Sequence, residues 1–238
     1  MLMKFIPVVL IFFSSFAMGS EESSVSALIE RCAPTVHPET MAAVISAESR
    51  GHQFAIAYAG LFNLPWAERK HLVQSHYLGS LDEAEAKASS LIANGHTVSL
   101  GLAQINDRNL SKLGLTIREV FDPCANLSAG GKILTEFYER ASKQFGPGEK
   151  ALRASISAYN SGSWIRGERD GYVGLVYGQA GRPLKIKTAA VVPRINAGST
   201  KAVSYTRALV PKVVSAGGAA SGSVRSFSMS SRNFIITE

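Results

Sequence analysis

The chain has 238 residues, 46% apolar and 18% charged, which suits one sizeable core with appendages and excludes a disordered polyampholyte, a collagen-like repeat or a dense disulfide scaffold. Its net charge of +7 is uneven: Arg182 to Glu238 holds nine Lys or Arg against one acid, a balance of +8, so residues 1–181 carry −1. The folded part therefore lacks the electrostatic footprint of a nucleic-acid binder.

The strongest apolar run, Phe5 to Phe16, follows Lys4 and ends in Ala17, Met18, Gly19 and Ser20. It falls short of the roughly 20 residues of a membrane-crossing helix and has the layout of a secretory signal peptide, residues 1–19. No integral span is expected in the mature chain. Export implies an oxidising compartment, in which Cys32 and Cys124 can pair.

Ser23 or Ser24 can cap a short amphipathic helix that carries Val25, Leu28 and Ile29 and ends toward Cys32 and Pro34. His37 then precedes Pro38, a residue suited to a first helical turn. Met41, Val44, Ile45 and Glu48 follow at i, i+3, i+4 and i+7, so a carboxylate closes an apolar stripe. Phe54 to Tyr77 is irregular and aromatic, compatible with a small hairpin or a long loop, and its Phe62, Trp66 and Tyr77 are read as core rather than as a stacking cleft. Ser80 with Glu83 forms a capping box for a helix through Ala84, Ala88, Leu91 and Ile92, stopped at Asn94-Gly95. Val98, Leu100 and Leu102 alternate with small residues, which predicts a strand whose end places Gln104 and Asn106 on the apolar side.

Asp122 before Pro123 starts a helix that runs to Phe145, where Gly146-Pro147-Gly148 breaks it. Another begins near Glu149, carries Leu152, Ile156 and Tyr159 on one face and ends by Gly162; a last short one covers Tyr172 to Gln179. From Arg182 onward the chain is rich in Ser, Ala, Gly and Val, carries Pro183, Pro193 and Pro211, and shows no sustained period. It reads as a basic, mobile, low-complexity tail, 182–238. The fold class is mainly α, with a small β element.

Glu48 is the residue of interest because desolvation on an apolar face disfavours its ionised form, and a general acid near neutral pH needs a raised pKa. Cleavage of a glycosidic bond usually employs two carboxyl groups, and no clear second one is present. Asp122 is better explained as a helix cap and Glu39 as a first-turn acid, which leaves Asp107 as an open rival. A single acid suffices where the substrate brings its own nucleophile, which points to an N-acetylated amino sugar. No zinc spacing, serine-nucleophile elbow or phosphate-binding glycine loop is found, and no cofactor or metal is expected.

Glu48-Ser49, Gly101-Leu102-Ala103-Gln104-Ile105-Asn106 and Ala158-Tyr159-Asn160, in that order, resemble the three signature motifs of the soluble lytic transglycosylase catalytic domain. That fold is lysozyme-like and related to goose-type lysozyme. The domain is placed at 20–181, and its body between about Cys32 and Gly181, including Gly171-Tyr172-Val173, most resembles the subgroup associated with type IV secretion systems, which also carries a signal peptide and a cysteine pair. The resemblance implies cleavage of the β-1,4 bond between N-acetylmuramic acid and N-acetylglucosamine in peptidoglycan, in the periplasm, with a 1,6-anhydromuramoyl product. It implies Glu48 as acid and then base, Gln104 on the sugar or its acetamido group, and Tyr159 beside Glu48. Ser49, Asn106, Asn160 and Tyr172 are further candidates for cleft contacts.

Glycan strands and secretion-system components are the partners so implied. From the residues alone, the Tyr159 hydroxyl needs either a neighbouring carboxyl or a backbone carbonyl. Ala103 stands where the family commonly has Met, which leaves the shape of a subsite open. A water-using muramidase and a non-catalytic glycan-binding assembly protein are the alternative functions.

Overall fold

In a computed structural model the described residues are 22–61, 63–65, 68, 72–187 and 209–214. The signal segment, Phe62, Trp66 and the remainder of the tail lie outside them. Helix α1, Glu22–Cys32, begins slightly before the expected serine caps. Helix α2, Pro38–Ser49, has His37 as its N-cap, with the imidazole Nδ1 accepting from the Glu39 N–H at 3.3 Å. Met41, Val44, Ile45 and Glu48 are all buried on it, as their spacing predicts.

The aromatic stretch that follows is a hairpin, β1 (Ala55–Leu61) and β2 (Val73–Tyr77). Tyr77 is 46% exposed there, so its reading as a core residue is corrected: it falls on an edge strand and covers His52 with its ring, centroids 5.0 Å apart. Helix α3, Leu81–Ala93, starts at Ser80, whose hydroxyl accepts from Glu83 N–H. The Glu83 carboxylate reaches back to Gly79 N–H, one residue earlier than in the standard box.

Strand β3, His96–Leu100, ends two residues before the alternation in the sequence does. Gly101 at φ +77° turns the chain, and β4, Ile105–Asn106, returns antiparallel with Ser99 opposite Asn106. The sheet order is β2-β1-β3-β4, antiparallel throughout. Ile56, Val98 and Leu100 are buried in the same core as Ala84, Ala88 and Leu91 of α3, which packs on β3 and β1.

A short helix, α4 (Leu110–Leu113), and a 3-10 turn, Glu119–Phe121, lead into α5, Pro123–Phe145. Asp122 caps α5 by accepting from Ala125 N–H at 2.9 Å. Helix α6, Glu149–Ser161, packs along α5; α7, Arg166–Arg169, and α8, Tyr172–Tyr177, complete the body. Two glycines in the middle of α5 cost about 1 kcal/mol each in helix propensity, and packing explains them. A Cβ on Gly130 would lie 2.7 Å from the Ala103 Cβ, and one on Gly131 would lie 2.8 Å from the Ala33 Cβ. These positions let α1 and the turn after β3 approach α5 closely. The Cys32–Cys124 disulfide joins α1 to the first turn of α5 across 92 positions of sequence.

Two stretches of the tail lie against the body. Leu184 is buried, Lys187 N–H donates to Gly51 O at 2.7 Å, and Gln53 N–H donates to Lys187 O. Further on, Val210 N–H donates to Thr35 O and His37 N–H to Val210 O; Thr40 Oγ1 donates to Pro211 O and accepts from Val213 N–H. Val210 and Val213 are fully buried, and Lys212 pairs with Glu39 at 2.7 Å. A tail free from Gly181 onward is thus corrected for 182–187 and 209–214. Each is an extended piece of a few residues, too short to leave a period in the sequence.

Candidate active site

Glu48 sits on the last turn of α2, 5% exposed, above the stripe made by Met41, Val44 and Ile45. Burial is the dominant influence on its carboxyl and pushes its pKa up to about 7. The opposing influence is a short hydrogen bond donated by the Tyr172 hydroxyl to Glu48 Oε1. Tyr172 is itself 4% exposed at the start of α8, placed by Gly171 and by the packing of α8 on α2. Burial first and the Glu48 charge second hold the Tyr172 phenol well above its ordinary pKa, so it remains a donor across the working range.

Tyr159 takes the other of its two open partners. Its hydroxyl donates to Ala103 O at 2.7 Å, the backbone carbonyl, while burial and the Glu48 charge hold its phenol protonated. The tyrosine hydrogen-bonded to the acid is thus Tyr172, and Tyr159 ties α6 to the turn after β3. Periodicity along α6 reveals that Tyr159 faces inward but says nothing of which distant element it meets.

That turn, Gly101 to Gln104, is built almost entirely from hydrogen bonds. Gly101 N–H donates to Ala55 O, Gln104 N–H to Gly101 O, and Ala103 N–H to Asn126 Oδ1. Gln104 adopts φ +51°, a left-handed conformation uncommon outside glycine, which the surrounding bonds hold in place. Its Nε2 donates to both Ala55 O and Gly101 O, which orients the amide because two carbonyls can only receive an N–H. Oε1 is left buried and without a protein partner. Strand alternation therefore fails for Gln104: its placement comes from the turn.

Asn106, on β4, accepts from Arg108 N–H through Oδ1, and its Nδ2 is buried without a partner. Asn160 lies near the C-terminus of α6, 7% exposed, and makes no side-chain hydrogen bond among the described residues. Ser49 has no exposed surface, and its hydroxyl donates to Ile45 O within the helix. Ala103 turns its Cβ onto Gly130 in α5, so the small residue at this position serves core packing.

The rival acids are accounted for. Asp107 accepts from Val98 N–H at 2.7 Å; burial raises its pKa, and the groups that oppose the shift are Val98, its own backbone and Arg108, with Glu48 not among them. Asp122 caps α5 and Glu39 pairs with Lys212. Among the described residues no cluster of three or more His, Cys, Asp or Glu could hold a metal ion, and no helix is long and apolar enough to cross a membrane. A lone, desolvated carboxyl whose pKa lies near neutrality can protonate a leaving oxygen and later take a proton back.

Comparison with known proteins places the chain in a family. The chain is 41% identical over 174 residues to the type IV secretion system protein virB1 of Brucella suis, a match covering 71% of this chain and 68% of that protein. It is 44% identical over 141 residues to the protein of the same name in Brucella abortus, covering 59% and 55%, and 34% identical over 160 residues to protein virB1 of Rhizobium radiobacter, covering 67% and 62%. The matched stretch thus spans between 55% and 68% of these relatives' own lengths. No solved structure matches the chain. The family model for the transglycosylase SLT domain matches residues 27–174, from within α1 into α8 and across every site residue described above, and the chain belongs to that family of peptidoglycan lytic transglycosylases.

Proposed function

We propose that the chain cleaves the β-1,4 bond between N-acetylmuramic acid and N-acetylglucosamine and leaves a 1,6-anhydromuramoyl end. The protonated Glu48 carboxyl gives its proton to the glycosidic oxygen as the bond to C1 breaks. The resulting carboxylate then takes the proton of the muramoyl C6 hydroxyl, whose oxygen bonds to C1. Glu48 ends the cycle protonated and no water is consumed. The observation that carries this reading is the raised pKa of about 7 on an acid with no second carboxyl among its described neighbours, since one group must then serve in both protonation states. Gln104 Oε1 and Asn106 Nδ2, an acceptor and a donor without protein partners, suit an acetamido sugar.

The place of action proposed is the periplasm, and the purpose is local opening of the wall for assembly of a type IV secretion system, in keeping with the names of the relatives. Mass spectrometry of muropeptides released from purified peptidoglycan tests the reaction. Anhydromuramoyl ends, lost in Glu48→Gln, are expected. Reducing ends would replace this reading with a water-using hydrolase, and glycan binding without turnover would replace it with a non-catalytic binding protein.

A further inference from the structure

Asn126 sits near the start of α5, outside all three signature motifs, and is 1% exposed. Its side chain makes three hydrogen bonds, none within its own helix. Oδ1 accepts from Ala103 N–H at 2.7 Å; Nδ2 donates to Leu100 O at 3.0 Å and to Val120 O at 2.7 Å. It thus spans the last residue of β3, the middle of the turn and the 3-10 turn that precedes α5. The close fit extends to Gly101, where a Cβ would lie 2.2 Å from Asn126 Nδ2 and 2.9 Å from its Cγ.

These contacts bracket Gln104. The residue before it has its N–H fixed by Asn126 and its carbonyl by the Tyr159 hydroxyl. Gln104 itself holds a left-handed backbone that only surrounding restraints keep populated. A buried amide can adopt this role because its acceptor and both donor hydrogens are used, leaving no unsatisfied polar cost.

We infer that Asn126 is the positioning residue of the glycan-binding turn: its amide fixes Ala103 and Leu100 and so holds the Gln104 side chain in its place. This deepens the proposed function and rests on it for the identity of the ligand. Asn126 touches neither substrate nor Glu48, so its loss weakens binding and leaves the acid chemistry unchanged.

The test uses Asn126→Ala, Gly101→Ala and the double variant, with purified peptidoglycan as substrate and folding checked by thermal melts. For each single variant KM is expected to rise about tenfold with kcat nearly constant, the pattern of lost binding common to ground and transition states. The activity limb assigned to Glu48 stays at the wild-type pH. Gly101→Ala displaces the same amide and adds the strain of a side chain at φ +77°, so the double variant should lose less than the sum of the two single losses. A second readout needs no substrate: hydrogen exchange at Ala103 N–H should accelerate in Asn126→Ala while amides in the middle of α6 keep their protection. Unchanged exchange at Ala103, additive losses, or a fall in kcat with unchanged KM would each overturn the inference. Inactivity of the wild type would instead count against the proposed function, with the exchange measurement still deciding the role of Asn126.

Discussion

The two halves of the site achieve order by opposite means. Around Glu48 the chain withholds partners: an apolar stripe on α2 and one hydroxyl from α8 leave the carboxyl desolvated, and its pKa rises to about 7. Around Gln104 the chain supplies partners: Ala55 bonds Gly101 and Gln104, Gly101 bonds Gln104, and Asn126 and Tyr159 bond Ala103. An acid is tuned by what is absent, whereas a recognition group is aimed by what is present. The first needs one helix and a hydroxyl from another; the second needs strands, a turn and two further helices to coincide.

The largest expected effect of breaking this division is on chemistry. Glu48→Gln should retain the fold and lower turnover by roughly 10²–10⁴, the usual worth of general acid–base catalysis; steady-state assays on peptidoglycan decide it, and a variant within tenfold of wild type would end the single-acid account. Next comes the tie that both halves share through α5. Replacing Cys32 and Cys124 by serine opens a 92-position separation and should cost about 4.6 kcal/mol in the chain-entropy model. Denaturant titration measures the loss, and at permissive conditions the pH limb of activity should stay where it was.

Stability itself should report the desolvated acid. A carboxyl whose folded pKa of about 7 exceeds its usual 4.5 holds its proton more tightly in the native state. It costs nothing below the unfolded pKa and weighs increasingly against folding as pH rises through about 7, to a limit of about 3 kcal/mol. Glu48→Gln should therefore be more stable than wild type at pH 8 and similar at pH 4; equal pH dependence in both would show that the carboxyl is not desolvated. The smallest effect belongs to the other half. Gln104→Ala should raise KM about tenfold, one lost hydrogen bond to a neutral partner, with the pH limb unmoved.

Much of the first half was legible in the sequence because it is local. The i, i+3, i+4, i+7 spacing through Glu48 survives folding unchanged, as do the Asp122 cap and the pairing of Cys32 with Cys124. The second half was legible only as a motif. Alternation through Val98 and Leu100 continues in the sequence to Leu102, but Gly101 turns the strand, and nothing in residue order marks Gln104 for φ +51°. Asn126 gave no signal at all, since a polar residue in a first helical turn reads as solvated. The division between Tyr172 and Tyr159 was also hidden: each lies on an inward face, and only tertiary packing decides which hydroxyl meets the acid. The pieces at 184–187 and 209–214 escaped for the same reason, their bonds being made entirely with distant backbone.

The most direct measurement is the titration of the Glu48 carboxyl by carbon-13 NMR, in wild type and in Tyr172→Phe. The account predicts an apparent pKa near 7 in the wild type and a higher one in the variant, because the lost hydrogen bond favoured the charged form. A wild-type carboxyl titrating near 4.5, or one indifferent to Tyr172, would contradict it.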